Sequence, residues 1–270
     1  MSPRAQATAG SGPQPGLRAR QDERSVTRAQ MAEVDRVMVD ELGITLVQMM
    51  ENAGLALATL ARTMLGGHIE GRRVVVAAGT GGNGGGAMVA ARRLHGWGAL
   101  PVVVTTSNAG LTRGAVRHQL RTLMSLGVPV LHVSAVPTLP RGELVIDGTL
   151  GYGLDGPARG SAAQLIRWIG CGREAVLALD TPSGVDVDTG LAPGPAVCAD
   201  TTLTLAAAKP GLLQPHAARH VGVLYVADIG VPGEVIQRVT GHPGPTFGPG
   251  DTLLLGRQAP ADVHGAELPG

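Results

Sequence analysis

Apolar residues recur three and four positions apart at Met31, Val34, Val37, Met38 and Leu42, which is the spacing of one helical face. Thr27 stands where an N-cap belongs and Gly43 where such a helix stops. Residues 46–65 repeat the helical pattern and carry the run Met49-Met50-Glu51-Asn52-Ala53-Gly54. Beyond this opening pair the pattern changes to short, continuously apolar runs. They predict strands over 73–78, 100–105, 128–133, 143–146, 175–179, 201–205 and 222–227, with helices over 87–95, 113–126 and 161–169. Strands that are apolar on both sides and alternate with helices must be covered on both faces, which means a parallel sheet between helical layers.

The fold class expected is therefore α/β, a Rossmann-like three-layer α/β/α sandwich with a mostly parallel central sheet. Residues 1–25 mix Ser, Gly, Pro, Gln and Arg without apolar periodicity and are expected to be a disordered tail. Residues 26–240 form the folded unit. Residues 241–270 are expected to be a Pro/Gly-rich C-terminal tail, although Thr252-Leu253-Leu254-Leu255 could dock on the body.

Charge narrows the choice of partner. The formal net charge is +1 and charged residues make up 16% of the 270, so no basic field gathers nucleic acid and a small ligand is expected. No apolar run approaches the roughly 20 residues of a membrane span, and the N-terminal stretch has no apolar signal core, so a cytoplasmic protein with no membrane partner is expected. Cys171 and Cys198 make neither a metal-ligand spacing nor a disulfide framework and read as small core filler. Lys209 is the only lysine in a chain that otherwise uses arginine. A position that keeps lysine against that bias suits a role only a compact amine can fill.

In a doubly wound sheet, ligands bind beyond the carboxyl ends of the strands. Three strand ends carry chemistry here: Gly79 to Gly86, Asp147 to Gly153, and Asp180 to Asp186. The first matches G-x-G-x-x-G at Gly79, Gly81 and Gly84, between a strand and a helix, where free N–H groups and the helix dipole favour a phosphate. With 41 glycines in the chain that match is weak alone. The second strand ends Thr105-Thr106-Ser107-Asn108, with no acid to grip a ribose, which argues against an ordinary dehydrogenase. Asp147 and Asp180 each close an apolar run, and Pro182-Ser183-Gly184 turns the chain so that Asp180 and Ser183 are expected to point into one space. Asn83, Asp147 and Ser183 supply hard oxygen atoms without sulfur or imidazole, a set suited to an alkali or alkaline-earth cation. His216 and His220 are four apart, but the context after Pro215 makes a metal pair a poor reading.

The order of these signals resembles the YjeF N-terminal-domain family, the NAD(P)H-hydrate epimerases, across about residues 26 to 240. The similar stretches are Val26-Thr27 through Met31 and Asp35, Met49 to Gly54, the loop ending Asn83-Gly84-Gly85, Val89 to Arg92, Asp147 through Gly153-Leu154, Ala178 to Asp186 with Thr189-Gly190, and Lys209-Pro210-Gly211-Leu212. The resemblance implies repair of damaged cofactor: interconversion of the R and S forms of hydrated NADH or NADPH at C6 of the nicotinamide ring. It implies that Gly82, Asn83, Gly84, Gly85 and Gly86 contact the hydrated dinucleotide. The segment Gly151, Tyr152, Gly153, Leu154, Asp155, Gly156 and Pro157 would do the same, together with Asp180.

It also implies a potassium ion on Asn83, Asp147 and Ser183, and an NAD(P)H-hydrate dehydratase acting as a separate chain. The family loop reads Asn-Asn-Gly-Gly-Asp-Gly where this chain has Gly82-Asn83-Gly84-Gly85-Gly86-Ala87, so an asparagine and a carboxylate are lost. Inversion at C6 needs a proton donor for the departing oxygen and a base for its return, with Asp180 the first candidate and Lys209 the second. A non-catalytic nucleotide- or protein-binding scaffold on the same fold is the alternative, supported by the altered loop. The Met- and Val-rich opening helices suit either core packing or a homodimer interface.

Overall fold

The computed structural model describes residues 24–106, 114–248 and 252–257. The chain enters through α1 (Arg28–Arg36), which continues as a π-helical turn over Val37–Glu41 and ends where Gly43 takes φ +68°. Both opening helices start on a reciprocal cap. Thr27 and Gln30 exchange side-chain and backbone bonds at the start of α1, and Thr45 with Gln48 do so at α2 (Leu46–Met64). Each pair satisfies N–H groups that no helical carbonyl can reach.

Eight strands form one sheet in the order β3-β2-β1-β4-β5-β6-β7-β8. They are β1 (Arg73–Ala78), β2 (Leu100–Thr105), β3 (Val130–His132), β4 (Leu144–Gly148), β5 (Ala175–Leu179), β6 (Thr201–Leu205), β7 (Val223–Ala227) and β8 (Thr252–Arg257). The first seven run parallel and β8 pairs antiparallel with β7. The sheet thus runs past the boundary expected at 240, because the apolar run Leu253–Leu255 adds an edge strand to Val223–Ala227.

The helices α3 (Gly82–Gly96), α4 (Gly114–Ser125), α5 (Gly160–Gly170) and α6 (Gly233–Thr240) complete the layers, with short helical turns between 210 and 221. Alternation along β1 divides the core: Val74, Val76 and Ala78 pack with α2, α3 and α4, while Val75 and Ala77 pack with α5. Each such valine, fully removed from water, contributes roughly 1.5–3 kcal/mol. No helix of the described residues is long and apolar enough to cross a membrane.

Strand order reverses between β1 and β4, and there the backbones nearly touch. A Cβ built on Gly79 would lie 1.9 Å from the carbonyl oxygen of Thr149, and one on Gly84 would lie 2.0 Å from the oxygen of Gly79. α3 starts at Gly82, five residues before the helix expected at 87, because the glycines are its first turn pressed against these strand ends. The run Met49 to Gly54 holds α2 against α3. Gly54 admits Val89, whose Cβ would be 2.4 Å from an added Cβ, Met50 covers Gly85, and Glu51 pairs with Arg92 and Arg93. Gly84→Ala is expected to cost about 1–3 kcal/mol, because the obstructing atom is backbone that cannot swing away. A urea midpoint equal to that of the wild type would contradict it.

Candidate functional site

A cleft of about 820 Å³ opens beyond the carboxyl ends of β1, β4 and β5, at the reversal of strand order. Its floor is the glycine turn, Asp180 and Lys209, its wall the segment 149–155, and its roof Met31, Asp35, Met49 and Met50 from α1 and α2. Mainly apolar surroundings with a few placed polar groups suit a small molecule held in one orientation.

Asp180 and Lys209 meet at the floor. The Lys209 side chain is about 1% exposed and that of Asp180 about 5%, with Nζ 2.6 Å from Oδ1. Nζ also donates to Thr204 Oγ1 at 3.0 Å and to the Leu205 carbonyl at 2.8 Å, so all three ammonium hydrogens are used. An arginine fork would bring five donors to three acceptors, which accounts for the lysine. The other Asp180 oxygen, Oδ2, accepts from the Tyr152 backbone N–H at 3.2 Å. Asp180 (φ +64°) and Ala206 (φ +61°) are the non-glycine residues with left-handed backbones among the described residues, and they directly follow the last residues of β5 and β6. Such conformations cost of order 1–3 kcal/mol each and cluster where side-chain direction matters for function.

Asp147 lies one layer deeper. It is the penultimate residue of β4, fully buried, and does not reach the cleft. Ser183 donates to it twice, from its hydroxyl at 2.7 Å and its backbone N–H at 2.8 Å, and Thr149 N–H adds a third bond at 3.1 Å. Burial pushes the Asp147 carboxyl above its ordinary pKa, and the Ser183 and Thr149 donors partly offset that. No arginine or lysine pairs with it among the described residues. Asn83 stands in the first turn of α3 and donates to the carbonyls of Leu150 at 2.8 Å and Leu179 at 3.0 Å. Its Oδ1 is buried with no hydrogen-bond partner. Ser183 Oγ accepts from the Leu150 N–H at 2.8 Å, so the Leu150 peptide links Asn83 to the Ser183–Asp147 pair.

The structure separates two residues expected to converge. Ser183 turns to Asp147, whereas Asp180 turns to Lys209 and Tyr152, because the left-handed Asp180 redirects the chain between them. Gly82, Asn83 and Gly86 line the cleft, as do Gly151, Tyr152, Gly153, Leu154 and Asp155. Gly84 and Gly85 lie behind it, against Gly79 and Met50, and are glycines for packing; Gly156 and Pro157 lie outside it. At Gly86, where the family loop has a carboxylate, an added Cβ would sit 3.0 Å from a Leu179 methyl. The cysteines are exposed rather than core: Cys171 caps α5, and Cys198 lies beside His220. His216 bonds the Thr189 carbonyl and His220 that of Val197, so they form no metal pair. Ser107 and Asn108, expected at the end of β2, lie outside the described residues.

Asp35 is an ionisable cleft residue to which sequence reasoning gave no role. It accepts a hydrogen bond from the Tyr152 hydroxyl. A signal was available, since Asp35 falls four residues after Met31 and so shares the buried face of α1.

Residues 46–211 match the family described as YjeF-related protein N-terminus. The chain is 43% identical over 213 residues to an NAD(P)H-hydrate epimerase of Dehalogenimonas lykanthroporepellens, covering 79% of this chain and 84% of that one. It is 34% identical to the bifunctional NAD(P)H-hydrate repair enzyme Nnr of Moorella thermoacetica, over 78% of this chain and 41% of that longer protein. The crystal structure of yeast ynu0 superposes with a TM-score of 0.69 at 25% identity, covering 85% of this chain and 99% of that one.

Proposed function

The chain belongs to the family of YjeF-related protein N-termini, and from that premise and the cleft we infer that it is an NAD(P)H-hydrate epimerase. Its substrates are hydrated NADH and NADPH, whose C6 hydroxyl it interconverts between R and S. The observation that carries the chemistry is the Asp180 carboxylate, held on buried Lys209 at the floor of the cleft. A pure scaffold has no use for two opposite charges buried at a ligand cleft, since such a pair is costly to desolvate.

Inversion requires the C6–O bond to break and to form again on the other face. The departing oxygen must be protonated, and the returning water must lose a proton, so a group that carries a proton at C6 lowers both barriers. Asp180 would be that group. Lys209 fixes its oxygen and balances its charge, while the Tyr152 N–H holds the second oxygen toward the cleft. The N-terminal turn of α3 would face a phosphate of the dinucleotide through Gly82 and Asn83. The S form would pass to a dehydratase that acts on the same hydrates. With an S-specific dehydratase present, adding the protein to R-enriched NADHX should raise the final yield of NADH. An unchanged yield would contradict the reading.

Asn83, Asp147 and Ser183 would hold a potassium ion. The partnerless Asn83 Oδ1, a buried carboxylate with no cation beside it and an all-oxygen donor set fit such an ion. Bound there, it would supply a fixed positive charge beneath the cleft. An ion that binds only the folded protein, at about 100 times its dissociation constant, stabilises by roughly 2.7 kcal/mol. The melting temperature should therefore rise in potassium relative to a bulky organic cation, and Asn83→Ala should lose the difference. Equal melting of the wild type in both salts would contradict the site.

A further inference from the structure

Besides Asp180, the cleft holds a second proton-bearing couple, formed across the fold. The hydroxyl of Tyr152, on the wall, donates to Oδ2 of Asp35, on the roof helix α1. No arginine or lysine forms an ion pair with Asp35 among the described residues, although the neighbouring Arg36 is held by Glu33 and Glu41 and Arg238 by Glu41. The charged groups that face the couple are Asp180 and Lys209 at the floor. Burial raises the pKa of the Asp35 carboxyl, with the Tyr152 bond opposing, and burial followed by the Asp35 bond raises that of the phenol. Of the carboxylates lining the cleft, Asp155 is exposed, and position 86 is glycine.

The two couples meet in one residue. Tyr152 gives its backbone N–H to Asp180 Oδ2 at 3.2 Å and its hydroxyl to Asp35, so its ring runs from the floor toward the roof. A flat ring lying in the cleft presents one face to the floor and the other to the roof, so that a proton carrier on each would serve the departing hydroxyl and the returning water separately. Resting on the epimerase reading above, we propose that Tyr152 is a catalytic acid–base residue serving the face of C6 opposite Asp180, and that Asp35 positions it and exchanges its proton.

In one direction the Tyr152 hydroxyl protonates the C6 oxygen. The C6–O bond breaks with its electron pair staying on oxygen, water leaves, and the N1 lone pair forms the N1=C6 bond. In this direction Asp35 enters the cycle carrying a proton taken up from cleft water, and the phenolate takes that proton. Water then attacks C6 from the floor side, the N1=C6 electron pair returns to N1, and the proton released passes to Asp180. The proton gained by Asp180 and the one lost by Asp35 are restored by exchange with cleft water. The opposite direction uses the same groups in reverse order.

Tyr152→Phe keeps the ring that packs on α1 and removes only the hydroxyl. On R-enriched NADHX it should lower kcat about 100-fold, the low end for a general acid–base group, with KM changed less than threefold. Asp35→Asn should lower kcat about 10-fold and remove one limb of the kcat–pH profile, an effect that a purely structural contact would not produce. Melting curves establish that each variant is folded. If both variants keep wild-type kcat and pH profile while losing melting temperature or raising KM, the couple is only a latch holding α1 and the proposal is overturned. Were Tyr152→Phe to unfold, Asp35→Asn with its pH profile decides alone. Wild-type protein that leaves the R:S ratio at the buffer rate overturns the epimerase reading and this proposal together, which separates the two failures.

Discussion

Asp180→Asn should lower turnover on the R hydrate by about 10²–10⁴-fold with little change in KM. The amide keeps the shape of the carboxylate, but its single oxygen can accept from only one of Lys209 Nζ and the Tyr152 N–H, which bond different oxygens of Asp180, and it can neither give nor take a proton at C6. A loss confined to KM would instead mean that Asp180 grips the substrate without moving a proton. The stability effect needs its own control, because the substitution leaves the Lys209 ammonium buried opposite a neutral group. Circular dichroism and melting of the variant establish the folded state in which kcat is read.

Lys209→Met is expected to cost about 3–5 kcal/mol of unfolding free energy, since it strands the Asp180 carboxylate in a buried site without its counter-charge. Thr204 Oγ1 and the Leu205 carbonyl lose a donor at the same time. The double variant Asp180→Asn with Lys209→Met should recover much of the loss, because removing both charges leaves none uncompensated. Lys209→Arg keeps the charge but not the fit, and should also destabilise. Urea unfolding measures all of these. A loss below about 1 kcal/mol for Lys209→Met would mean that water reaches the pair and solvates Asp180 alone.

Much of this arrangement is legible in the chain because it is written in local signals. The apolar runs name the strands β1, β2, β5 and β6 at their observed limits, and Thr27 marks the start of α1. What was illegible is set by distant contacts. A glycine run reads as loop, since each glycine costs a helix about 1 kcal/mol, and only the approach of Gly79 and Thr149 explains why glycines open α3. The parting of Asp180 and Ser183 depends on a left-handed aspartate that no sequence pattern announces. The Asp35–Tyr152 bond joins residues 117 apart, so periodicity could place Asp35 on the buried face of α1 but could not say what it meets. Cys171 and Cys198 looked like filler by residue type, yet they sit at a helix end and in a connecting segment, where the backbone leaves them exposed.

The most direct measurement is the S:R ratio of NADHX followed by chromatography from an R-enriched start, with the protein as the sole addition. The ratio should move to its equilibrium value far faster than in buffer, with wild-type protein, and with Asp180→Asn at least about 100-fold more slowly than with wild type. Wild-type protein that leaves the ratio drifting at the buffer rate would contradict the assignment of epimerase chemistry to this cleft.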